Sequence, residues 1–135
     1  MGSIEIIEQQ YDVLIIGAGL SGICALHNFR KRFPSWRVGV LEAADNVGGT
    51  WYCNRYPGAR VDTESLSYAY SWDKDLLNEW TWGESFSTQS EVLRYIEHVC
   101  DKHNLYKNIQ LNTRVKEAVW QEKNNTWLFR DEVGT

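Results

Sequence analysis

Apolar residues change their spacing several times along this 135-residue chain, and each change marks an element. Tyr11-Asp12-Val13-Leu14-Ile15-Ile16 is an apolar, β-branched run that stops at glycine, the pattern of a strand in a buried parallel sheet. Leu20, Ile23, Cys24, Leu26, His27 and Phe29 then recur at helical spacing until Pro34 ends the helix. Trp36 to Glu42 reads as a second strand that finishes on a carboxylate. Asp73 to Trp80 forms a short helix or a turn that places its aromatics on the domain. Thr88-Gln89-Ser90-Glu91 has the form of a capping box and opens a helix with Val92, Leu93, Ile96, Val99 and Cys100 along one face. Ile109-Gln110-Leu111 is expected as a third parallel strand. Residues 113–121 and 126–130 are expected to pair as antiparallel strands around Glu122-Lys123-Asn124-Asn125, the first part of a β-meander. The class is therefore α/β.

The turn between the first strand and helix is Gly17-Ala18-Gly19-Leu20-Ser21-Gly22, a GxGxxG. Such a motif alone is weak. Here a strand precedes it, a helix follows, and Glu42 stands 20 residues beyond Gly22 at the tip of the next strand, which is the dinucleotide-binding fingerprint. Gly17 makes the tight turn, Gly19 lets backbone amides approach a pyrophosphate, and Gly22 lets the helix pack on the strand. The helix N-terminus adds positive potential. Glu42 can accept hydrogen bonds from both hydroxyls of an adenosine ribose and would repel a 2′-phosphate, so FAD or NAD fits better than NADP. The fold expected is a Rossmann-like dinucleotide-binding domain over residues 1–135, with a parallel sheet and a partial β-meander, incomplete at its C-terminus.

Composition narrows the classes further. A net charge of −4 and a single short basic triplet, Arg30-Lys31-Arg32, offer no footprint for nucleic acid. That triplet suits the solvated C-terminal end of a helix. Three scattered cysteines, Cys24, Cys53 and Cys100, suggest neither zinc nor a disulfide framework. His98 and His103 lie five apart, do not share a helix face, and are expected to face solvent. No apolar run is long enough to span a bilayer, and MGSIEIIEQQ has no basic region of a secretory signal, so a cytoplasmic location is expected. Seven tryptophans are present; Trp72, Trp80, Trp82, Trp120 and Trp127 are expected in ordinary core packing.

Residues 48–65, GGTWYCNRYPGARVDTES, read as a loop, yet carry three large aromatics, two arginines and two acids. Following Glu42-Ala43-Ala44-Asp45-Asn46-Val47, the Gly48-Gly49 pair lets the chain pass close to a dinucleotide's diphosphate. With Asn54-Arg55-Tyr56-Pro57-Gly58-Ala59-Arg60-Val61-Asp62-Thr63-Glu64-Ser65 behind it, the sequence resembles the N-terminal part of the Baeyer–Villiger monooxygenases, flavoenzymes that insert one oxygen atom of O2 beside a ketone. The resemblance continues through Tyr68-Ala69-Tyr70-Ser71-Trp72, Glu79-Trp80-Thr81-Trp82 and Ser87 to Ile96, and covers Tyr11 to about Leu128.

What the resemblance implies can be placed on matching positions. Ser21 and Glu42 would contact the adenosine half of FAD, and Thr50, Trp51, Tyr52 and Cys53 would run along its flavin half, with Trp51 and Tyr52 as a wall. Asp62 and Tyr68 would lie near the isoalloxazine ring, and Val115 would offer backbone contacts to the adenine. Arg60, Val61 and Asp62 would face NADPH, which the family binds at a second Rossmann domain. Asp62 is the catalytic candidate, since the matching aspartate of relatives pairs with an arginine from a downstream loop. Cys53 stands where many relatives carry a large aromatic, and Val61 where cysteine is common. The final strand of the FAD domain, the NADPH domain and the partner arginine are expected to be missing from this chain, leaving it inactive alone and open to a protein partner or to self-association through an unfinished sheet. A non-catalytic or degenerate FAD-binding module, and a fragment of an N- or S-oxygenating flavin monooxygenase, are the alternatives.

Overall fold

The computed structural model describes residues 9–132. Its order is β1 (Val13–Ile16), α1 (Leu20–Arg32), β2 (Val38–Leu41), α2 (Thr50–Cys53), a 3-10 turn at Ser65–Tyr68, α3 (Lys74–Glu79), α4 (Gln89–Lys102), a second 3-10 turn at Tyr106–Asn108, β3 (Ile109–Gln110), β4 (Val115–Gln121) and β5 (Thr126–Asp131). β1, β2 and β3 form a parallel sheet with β2 in the middle. Val13 pairs with Val38 and Ile16 with Leu41, so the β1 and β2 tips end level, with Gly17 and Glu42 following them. That register brings the glycine turn and the acid together.

β2 carries Val38 and Val40, both buried, as the centre of the core. α1 adds Ile23 and Leu26; α4 adds Val92, Tyr95, Ile96, Val99 and Cys100. The face read from α4's periodicity is thus present except at Leu93, which is only half-buried beside Gly48, and Tyr95 is a further member. Tyr95 is fully buried because its hydroxyl has a use: it accepts the Tyr70 amide at 2.7 Å and so ties the aromatic loop to α4. β4 and β5 form a separate antiparallel pair with Trp120 opposite Trp127.

Four expectations change. Residues 48–65 are not all loop, since α2 and the start of the first 3-10 turn occupy part of them. The capping box does not close. Thr88 is the N-cap of α4, but its hydroxyl meets Ser90 Oγ at 3.1 Å, while Glu91 Oε1 accepts the Gly83 amide at 2.8 Å. His103 does not face open solvent; its Nε2 lies 2.7 Å from Asp73 Oδ2, and His98 is half-buried near Glu79. Trp72, Trp80 and Trp82 do pack against the core, but Trp120 and Trp127 are 39% and 59% exposed.

Candidate functional site

The site begins where β1 turns into α1. Gly17 has φ +95°, a conformation that glycine adopts without strain. A Cβ on Gly22 would stand 1.9 Å from the Gly17 carbonyl oxygen, so the helix can only lie this close to the turn if residue 22 is glycine. Gly19 is the N-cap of α1, which has no side-chain cap and no acidic residue in its first turn. Its first amides, which no helix can satisfy internally, and its positive dipole end are therefore left without an anion from among the described residues. That donor set fits a pyrophosphate.

The Gly-Gly loop is packed directly on this turn. Gly48 N donates to Ala18 O at 2.9 Å, and a Cβ on Gly49 would come within 3.0 Å of Gly19 Cα. Gly49, at φ +55°, is the N-cap of α2. The two glycine motifs, separated by 30 residues, make one backbone cradle.

Glu42 closes the cradle at the tip of β2. It is 8% exposed; Oε2 accepts the Ala18 amide at 2.6 Å and Oε1 the Ala44 amide at 2.8 Å. Each carboxylate oxygen has two lone pairs, so both retain capacity for a ribose hydroxyl. The backbone amide of Thr113 donates to Glu42 O at 2.8 Å, which brings the segment leading into Val115 alongside the acid.

The flavin-half candidates gather less uniformly. The Trp51 ring meets that of Tyr68 edge-on at 5.4 Å, and Tyr68 joins Leu20, Ser21, Cys24 and Asn28 in lining an open groove of about 570 Å³. Ser21 and Tyr68 thus share a wall. Tyr52 turns aside: its hydroxyl donates to Asp45 Oδ1, and the Arg55 guanidinium lies 4.1 Å over its ring. Cys53 is exposed at the end of α2. Val61 is 3% exposed within the core cluster, so its side chain is committed to packing. Arg60 pairs with Glu84 at 3.0 Å and also donates to Phe86 O. Asp62 is exposed and has no ion-pair partner among the described residues.

Sequence reading missed the segment that ties these pieces together, residues 84–89, because its contacts join positions about 20 to 40 apart.

Comparison with known proteins bears on the same residues. Residues 15–79 match the model of an NAD(P)-binding Rossmann-like domain. The chain is 42% identical over 124 residues to a phenazine N-monooxygenase of Lysobacter antibioticus, and 40% over 123 residues to an acetone monooxygenase (methyl acetate-forming) of Gordonia sp. strain TY-5. These stretches cover 92% and 91% of this chain and 23% of each relative. A steroid monooxygenase bound to NADP superposes with TM-score 0.88 at 46% identity, covering 93% of this chain and 24% of that one. The chain corresponds to the N-terminal, FAD-binding part of the Baeyer–Villiger and related flavin monooxygenases. In the complete enzymes of that group the cofactors are FAD and NADPH. The chain spans about a quarter of the length of the relatives it matches. Among its described residues no helix is long and apolar enough to cross a membrane, and no group of three or more His, Cys, Asp or Glu side chains is placed to hold a metal ion.

Proposed function

We propose that this chain supplies the FAD site of a flavin monooxygenase that uses NADPH and O2 to insert oxygen beside a ketone, giving an ester or lactone. The observation that carries this reading is the contact of Gly49 with Gly19, beside a carboxylate held by the Ala18 and Ala44 amides. FAD held by these residues would supply the redox chemistry that activates O2. The chain's own contribution is placement. The first-turn amides of α1 take the pyrophosphate, Glu42 takes the ribose hydroxyls, and Trp51 and Tyr68 line the flavin end. Asp62 is the catalytic candidate, an exposed carboxylate ready to hold a cation brought by another part of the enzyme. Arg60 and the Val61 backbone belong to the face toward NADPH, and the Val115 backbone to the adenine end.

The chain is proposed to bind FAD as one partial domain, with turnover requiring a nicotinamide domain. The open outer edge of β1 makes self-association, or pairing with a protein partner, part of the same proposal. A second reading, oxidation of a nitrogen centre, is favoured by the 42% identity to the phenazine N-monooxygenase.

Replacing the matching first quarter of the acetone monooxygenase with this chain tests the proposal. The expected chimaera binds FAD and oxidises NADPH in a ketone-dependent way. A folded, FAD-loaded chimaera without ketone turnover would exclude this segment from ketone oxidation.

A further inference from the structure

Residues 84–89 lie between the two parts of the site that the chain delivers separately. Gln89 N donates to Ala59 O at 2.9 Å, Val61 N donates to Ser87 O at 3.0 Å, and Arg60 forms an antiparallel bridge with Thr88. On the other side of Asp62, Ser65 N donates to Ser85 O at 2.8 Å. The strip therefore grips the chain just before and just after Asp62, which is itself exposed and has no side-chain anchor among the described residues.

The grip is reinforced by side chains. Ser65 and Ser87 are 2% and 0% exposed, with their hydroxyls 2.8 Å apart. Ser65 Oγ accepts the Ser87 amide at 2.8 Å and reaches the carbonyls of Glu84 and Ser85. Glu91 Oε1 accepts the Gly83 amide at 2.8 Å, which joins the end of the strip to the first turn of α4, and this bond together with Ser87 holds the Glu91 carboxyl below its ordinary range. From there the strip reaches the other half of the site, since Gln89 Nε2 donates to the Trp51 carbonyl in α2.

We propose that Ser65, Ser87 and Gln89 are positioning residues that set the backbone at Asp62 and the backbone at Trp51 in a fixed relation before cofactor binds. The proposal rests on the FAD reading above. A ring system bordered by Trp51 on one side and Asp62 on another tolerates placement errors of only about 0.5 Å. Neither residue is directly adjacent to the other in sequence, so a third segment has to register them.

The test uses the whole chain with Ser65→Ala, Ser65→Thr and Gln89→Glu, the last isosteric but unable to donate to Trp51 O. Each variant is titrated with FAD at a temperature where circular dichroism shows it fully folded, and its melting temperature is measured separately. Positioning predicts that Ser65→Ala and Gln89→Glu weaken FAD binding by about tenfold in the folded chain and alter the shape of the bound flavin's visible band. Ser65→Thr, which keeps the hydroxyl, restores both. Folded variants with wild-type affinity and spectrum, whatever their melting temperature, would overturn the proposal and leave the serines a purely structural role. If the wild-type chain itself takes up no FAD, the cofactor reading fails separately. The strip is then judged by amide resonances of the folded chain: shifts at both Asp62 and Trp51 in Ser65→Ala and in Gln89→Glu support it, and shifts confined to the neighbours of the replaced residue overturn it.

Discussion

At the scale of single residues the site is built from positions where a side chain cannot be added. Gly49 is the sharpest case, because its backbone is left-handed and its missing Cβ would press on Gly19. Gly49→Ala should destabilise the chain by roughly 1–3 kcal/mol, from backbone strain and forced displacement of the turn. It should also abolish FAD uptake; a melt and a titration like those of wild type would show that the two glycines do not form one cradle. Glu42 works in the opposite way, through atoms that are present. In Glu42→Gln one of the two amide bonds to Ala18 or Ala44 would face an NH2 donor in place of an acceptor. Loss of a charge-assisted hydrogen bond costs about 1.5–3 kcal/mol, so a lowered melting temperature with weakened FAD binding is expected, and unchanged values would contradict the geometry.

At the scale of elements, the helices are anchored far from the glycine turn by a cluster around Asp73. Its Oδ1 caps α3 through the Asp75 and Leu76 amides, and Oδ2 meets Lys102 and His103 of the α4 end. Burial pulls its carboxyl upward, but the Leu76 amide, Lys102 and His103 together outweigh this and hold it at about 2 against an ordinary 3.8. A lowered folded-state value means stability that is present above pH 3.8 and lost as pH falls toward 2. Asp73→Asn should therefore melt lower at neutral pH and lose less stability than wild type between those pH values. Parallel pH curves for the two chains would refute the assignment. Close by, burial lowers His27, which stacks on Trp72 at 3.8 Å, so its share of stability is lost as pH falls below 6.5 in both chains.

The same scale shows what could be read from sequence. β1, α1, β2 and α4 were legible because their signal is local: an apolar run, a helical period, a glycine stop. So was the meeting of Gly17 to Gly22 with Glu42, because strand register follows from the βαβ unit. α2 was not, since four residues are too few to show a period. The capping box failed because Glu91 has better partners in Gly83 and Ser87, which spacing cannot reveal. The Ser65–Ser87 pair and the exposure of Trp120 and Trp127 likewise depend on which segments meet across the fold.

For the whole molecule, the sheet is open at both edges. β2 has neighbours on both sides, whereas β1 and β3 each pair only with β2 among the described strands, and Ile16 at the tip of β1 is 53% exposed. An open, apolar strand edge is a template for pairing with another chain. Concentration-dependent oligomers are expected in sedimentation, and a sharp monomer peak at all concentrations would contradict this. The central claim concerns the other property of the whole, that the glycine turn, Glu42 and the Gly-Gly loop already form a dinucleotide site. Titrating the purified chain with FAD while recording flavin fluorescence and the visible spectrum of the gel-filtered protein tests it most directly. Near-stoichiometric uptake, lost in Gly49→Ala, is the predicted result; a folded wild-type chain that stays colourless and leaves added FAD unbound would contradict it.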